Sequence, residues 1–218
     1  MGFLGELSSF LHSIPEWLSS FITALIGALV GGLFTLFAVD REIKITRKQE
    51  EKDAIELQIF VLKGIKSEIS ILFKLYNKRM KGHIEEIEPG KMFLLGFPIG
   101  DDNFTFYEQN AKLIAKLNDG PRDSIIDIYT HARSLIQSFK GNNQLIVEHE
   151  NILLGMANGN NNVEFYQRLY NAKQEVMIDY AQGIKAIDGE VRESIYNGFT
   201  NIDQEIVRLE DKLKNLSL

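Results

Sequence analysis

Histidines are the side chains best suited to acid–base or metal chemistry in this sequence, and the four present are scattered: His12, His83, His131 and His149. His149 sits between Glu148 and Glu150, which invites a metal or proton-transfer role. A helical histidine among carboxylates nevertheless reads first as part of a solvated face. A second concentration of charge, Glu85, Glu86 and Glu88 with Asp101 and Asp102, would hold a divalent cation only weakly. It lacks the spaced oxygen ligands and central glycine of a calcium loop. HExxH, GxxxxGK, GxGxxG and GxSxG are all absent, so zinc-protease, phosphate-cradle and serine-hydrolase chemistry have no foothold. With no Cys in the chain, thiolate metal sites, cysteine nucleophiles and disulfides are excluded together. No catalytic residue, cofactor or metal ligand is expected.

A formal net charge of −6 and an isoelectric point near 5.3 argue against general nucleic-acid binding, which draws on Lys and Arg to displace counterions from phosphates. Helical nucleases of the HEPN type carry Arg, four to six residues, then His. Here Arg79 and His83 are too close, and Asn143 with His149 lacks the arginine. A divergent nuclease using His131, His149 and neighbouring carboxylates stays as the enzymatic alternative to a non-enzymatic protein.

The elements around these residues are dominated by one segment. Trp17 to Val39 is 23 residues without a charge, and as a helix it would extend roughly 34 Å, enough to cross a bilayer core. It is too long for a signal-peptide core, no basic residue precedes it, and Phe37-Ala38-Val39 is a poor cleavage site. Arg41, Lys44, Arg47 and Lys48 follow it directly. Positive-inside reasoning therefore places the C-terminal side in the cytoplasm and the N-terminus outside, as a single-pass inner-membrane protein. Residues 1–16 carry apolar residues at helical spacing up to Pro15, as an amphipathic interfacial segment would or as an extension of the span. Within the span, Gly27 and Gly31 form a GxxxG. Ala24, Ala28 and Gly32 lie on the neighbouring side, so small residues occupy two adjacent sides that could admit partner helices.

Beyond the span the sequence predicts an all-α fold. Residues 40–81 read as a charged neck continuing into a first bundle helix, with Leu62, Ile65, Ile69, Leu72 and Tyr76 in three- and four-residue steps. Residues 82–103 hold two prolines and four glycines and read as a loop. That loop is apolar as well as acidic: Met92, Phe93, Leu94, Leu95, Phe97 and Ile99 either pack on the helices or meet a partner. Residues 104–158 read as short helices. The first is capped by Asp101, Asp102 or Asn103 and ends at Asn118-Asp119-Gly120; the second starts at Pro121 with Ile125, Ile128, Tyr129, Ala132, Leu135 and Ile136 inward; a short continuation follows from Asn142. After a turn at Gly159–Asn162, residues 159–218 form one long helix or two broken near Gly189. Its heptad seam includes Ile202, Ile206, Leu209 and Leu213. The seam can pair with the chain's own first rod or with a second copy.

A single N-terminal membrane helix on a small helical cytoplasmic domain resembles in plan the membrane accessory proteins of bacterial phage-defence systems. The similarity covers no residue motif and transfers no site. The expected function is a self-associating, non-enzymatic membrane effector or accessory that binds a protein partner or signal through its cytoplasmic helices. A pore-forming defence role is its sharper form and a structural scaffold its alternative. If the small-residue sides pack, Gly27→Leu with Gly31→Leu should convert an oligomer into a monomer in detergent, read by light scattering with the detergent mass subtracted.

Overall fold

A computed structural model describes residues 15–100, 104–157 and 162–217 of the chain. The expected interfacial segment up to Ile14, the capping candidates Asp101, Asp102 and Asn103, and most of the Gly159–Asn162 turn lie outside the described residues. The elements are all helices: α1 (Glu16–Glu85), α2 (Thr105–Gln109), α3 (Ala111–Ile114), α4 (Asp119–Ala157) and α5 (Val163–Ser217), with no strand among the described residues. The chain divides into two compact units, residues 1–54 and 55–218.

In the first unit, α1 is long and apolar enough to cross a membrane, and none of that apolar stretch is buried. Phe34 and Phe37 are 71% and 73% exposed, with Trp17, Phe21 and Leu29 similarly bare. Such a surface is stable against lipid and costly against water. Thr35 donates its hydroxyl to the Gly31 carbonyl at 2.9 Å, which satisfies a polar side chain inside an apolar run. Gly27, Gly31 and Gly32 have nothing within 4 Å of where a Cβ would stand.

The second unit is a three-helix bundle with one long connection laid into it. The face of α1 made by Ile55, Ile59, Leu62, Ile65 and Ile69 is buried, as helical spacing requires. α5 runs antiparallel to it: Lys63 pairs with Glu210 at 2.7 Å, Lys66 with Asp203 at 2.5 Å, and Arg192 donates to Asn77 at 2.8 Å. α5 is one helix through Gly189. Its seam residues Ile202, Ile206 and Leu209 are buried in the chain's own core, and Leu213 packs against that core. α4 runs parallel to α1, since Glu68 meets Tyr129 and Tyr76 meets Phe139. The N-termini of α1's bundle portion and of α4 therefore lie at the same end.

Three boundaries differ from the sequence expectation. α1 continues to Glu85 because a single Gly82 does not stop a helix whose Ile84 still has a core to enter. Pro89 and Gly90, the latter at φ +75°, form the break instead. The first short helix is split in two, and Asp119 opens α4 instead of ending its predecessor. Pro121 then falls within the first turn, where its missing N–H has no intrahelical acceptor to lose. α4 also passes Asn142 without a break, and Gly141 within it leaves room for the Tyr180 hydroxyl of α5.

Close approach explains Gly64 as well: a Cβ there would overlap the Phe106 ring. Gly64→Ala should therefore lower the melting temperature although alanine favours helix by about 1 kcal/mol. Gly183→Ala, with nothing within 4 Å, should raise stability by roughly 0.5–1 kcal/mol. Thermal unfolding followed by circular dichroism reads both.

Candidate functional site

The connection between α1 and α4 helps to line a cavity of the second unit. Because α1 and α4 are parallel, the chain must return along the bundle, and its described parts lie against both helices. Asn143 on α4 holds it by a reciprocal pair, accepting from the Phe97 N–H at 2.9 Å and donating to the Phe97 carbonyl at 2.7 Å. Further along, Glu68 on α1 accepts the N–H groups of Phe106 at 2.8 Å and Tyr107 at 3.2 Å. The first turn of α2 is thus capped by a carboxylate from another helix. Of the apolar loop residues, Phe93 is buried, Met92, Phe97 and Ile99 are half-buried, and Leu94 and Leu95 are exposed.

Between this segment, α1, α4 and two residues of α5 lies a cavity of about 210 Å³. Ile69, Tyr76, Phe97, Phe104, Tyr129 and Phe139 are among its walls. The rings interlock: Phe97 and Phe139 lie 5.4 Å apart, and Phe104 meets Tyr129 edge-on at 5.0 Å. Ala132 stands on the α4 wall in a stripe of otherwise large residues, which is why a space remains. Leu75, 43% exposed, and Arg79 stand at the outer edge.

Polar atoms at the cavity are mostly committed. The Tyr76 hydroxyl donates to Asp188 at 2.5 Å, and the Tyr129 hydroxyl donates to Glu68 at 2.6 Å. Burial, then the hydrogen bond to Asp188 and its charge, pushes the Tyr76 phenol far above its ordinary value. Burial, then Glu68 in the same two ways, does so for Tyr129. Both therefore stay neutral donors and neither can act as a base near neutral pH. Asp188 is also held by Arg192, at 2.8 and 3.2 Å. That guanidinium lies 5.4 Å from the Phe73 ring centroid. Burial opposes its charge, and the hydrogen bond and charge of Asp188 outweigh burial to raise its pKa. Arg79 makes no hydrogen bond or ion pair among the described residues.

The histidines are not brought together. His83 is exposed on α1. His131 is half-buried on α4, near Asp127 at 3.3 Å and Glu190 at 3.9 Å. His149 is a correction to the solvated-face reading: it is 6% exposed, its ring lies 5.3 Å from that of Tyr170, and its Nε2 has no partner among the described residues. Glu148 turns instead to Lys173 at 2.6 Å, which together with Gln144 holds its carboxyl below the usual range. Eighteen residues along one helix separate His131 from His149 by about 27 Å, too far to share a reaction. Among the described residues no group of three His, Cys, Asp or Glu could hold a metal ion. The membrane-helix residues Ala24, Gly27, Ala28, Gly31 and Gly32 and the seam residues belong to different units and form no common site.

No family model, curated protein or solved structure matches this chain. The arrangement itself therefore carries the functional reading. The described residues that line the cavity are mostly apolar. Sequence reasoning saw Ala132, Leu72 and Tyr76 as core positions; the signal for a cavity was the alanine itself, set among bulky neighbours.

Two outcomes test this geometry. Ala132→Leu should raise the melting temperature by a few degrees through cavity filling. Because both phenols titrate higher in the folded state than the ordinary 10.0, their stabilising contribution is complete below pH 10 and is lost as pH rises above it. Melting temperatures measured from pH 7 to 11.5 should fall above pH 10, and less steeply for Tyr76→Phe with Tyr129→Phe.

Proposed function

We propose that this protein is a non-enzymatic, single-pass membrane effector or accessory whose cytoplasmic helical domain takes a ligand in the cavity and passes its occupancy along α1 to the span. The observation that carries the reading is the continuity of α1 from Glu16 to Glu85. The residues that line one wall of the cavity, Ile69 to Arg79, stand on the same uninterrupted helix as the apolar stretch Trp17–Val39. No proline interrupts the sequence between the two stretches.

The orientation belongs to the same proposal. Arg41, Lys44, Arg47 and Lys48 follow the span and support a cytoplasmic second unit. Lys44 pairs with Asp40 at 2.6 Å, but the rule counts basic residues and is little weakened by a neighbouring acid. Self-association through Gly27 and Gly31 rests on their GxxxG spacing. Against an enzyme stand the separated histidines and the use of Glu68, Asp188 and Glu205 as acceptors for structural donors.

Because the chain lacks Cys, single-cysteine variants report topology without background. The protein should remain in the membrane pellet after alkaline carbonate. Ser8→Cys should react with an impermeant maleimide in intact spheroplasts, and Ser217→Cys only after permeabilisation. Release by carbonate, or labelling of position 217 in intact spheroplasts, would overturn the anchored reading.

A further inference from the structure

We infer that the flank of α5 from Phe165 to Val176 is a contact surface for a second copy of this chain, packed antiparallel to it about a twofold axis. The contact depends neither on the cavity nor on the span.

The start of α5 is packed against α4. Lys173 meets Glu148 at 2.6 Å, the Tyr170 ring lies 5.3 Å from that of His149, and the Tyr166 ring stands over Gly155. With buried Met177 these residues make the inner seam. The residue before each of them, Phe165, Leu169, Ala172 and Val176, forms a second seam about 100° around the helix. Its steps of four, three and four are those of a coiled-coil face. That seam is bare: Phe165, Leu169 and Val176 are 55%, 38% and 49% exposed, and Ala172 is exposed too. The neighbouring residues outside the described ones, Asn158, Gly159, Asn160 and Asn161, bring no large apolar side chain to cover it.

Reversed, the seam complements itself. About its midpoint Leu169 of one copy faces Ala172 of the other and Phe165 faces Val176, large against small, and a twofold axis makes each contact twice. Arg168 and Glu175 flank the seam on one side, and in this register each meets the other across the interface. Both are exposed. Arg168 also meets Glu164 of its own helix at 2.5 Å, a solvent-exposed contact that leaves the guanidinium further donors. The other flank holds Tyr166 and Lys173, which Glu148 already neutralises, so no like charges are brought together. Parallel pairing would set Arg168 against Lys173 and Asp179 against Asp179, so charge selects the antiparallel arrangement. Four side chains from each copy make a small interface, so the contact is weak and is read by trapping it.

The test uses the full chain in detergent, with Gly27→Leu and Gly31→Leu present throughout so that pairing through the span does not contribute. Because the sequence has no Cys, Phe165→Cys and Val176→Cys chains are prepared separately, then oxidised alone and as an equal mixture. In the antiparallel register the sulfurs of unlike copies meet, whereas like copies hold theirs about 16 Å apart along the helix. Covalent dimer on non-reducing gels should form in the mixture and stay at background in either chain alone. Arg168→Glu should lower its yield about fivefold, and adding Glu175→Arg should restore it. Both positions are exposed, and circular dichroism melts matching the parent show that these variants fold. Self-crosslinking of either chain as strong as in the mixture would overturn the antiparallel register. Absence of dimer in the mixture would overturn the contact. An Arg168→Glu chain that crosslinks like its parent, or one that Glu175→Arg does not restore, would overturn the pairing of Arg168 with Glu175.

Discussion

Helices α1 and α4 point the same way, and the rest of the second unit is shaped by that constraint. Two parallel helices cannot be joined by a tight turn, so the chain between Glu85 and Asp119 must travel back along the bundle before α4 can begin. Left in water, such a connection would bare Phe93, Phe97, Phe104 and Phe106. Laid in the groove between α1 and α4, it becomes part of the core, with Phe93 7% exposed. The cavity follows from the same arrangement. An irregular strand of chain does not fill a groove as evenly as a helix does, and opposite Ala132 the filling is incomplete.

Backbone removed from water in this way needs acceptors and donors, and the structure supplies them from side chains on the flanking helices. Asn143 imitates a sheet partner for Phe97, and Glu68 imitates a helix cap for Phe106 and Tyr107. Glu205 accepts from the Asn118 side-chain amide at 2.8 Å and from Arg208, just where α4 starts. These carboxylates are half-buried or buried and each has more than one donor, the condition under which a desolvated charge is tolerated. The same commitment removes them from chemistry: an acceptor already shared between amides and a phenol has little capacity left to move a proton.

Those tertiary roles explain what could and could not be read from the sequence. A helix long and apolar enough to cross a membrane was legible in 23 successive uncharged residues, and the all-α class in the few prolines and regular apolar spacing. The seam of α5 was legible in its positions but not in its partner, since an internal rod and a second copy present the same pattern. Glu68 was invisible: on paper it is one charge among many on a rod, and only the returning connection gives it donors. His149 failed for the opposite reason. Flanking carboxylates suggested solvent, yet Glu148 and Glu150 point elsewhere on the helix and leave the imidazole against Tyr170.

The order in which the chain is made adds a difficulty that the finished bundle conceals. Ile59, Leu62 and Ile65 on α1 share their core with Ile202, Ile206 and Leu209 of α5, which lie far later in the sequence. At translation rates of about 5–20 residues per second, the apolar face of α1 waits on the order of ten seconds for its cover. A nascent chain in this condition is vulnerable to its own kind, because neighbouring unfinished copies present the same sticky face. The charged stretch from Asp40 to Asp53, with five acids and five bases in balance, offers no such face of its own and stays solvated while that one waits.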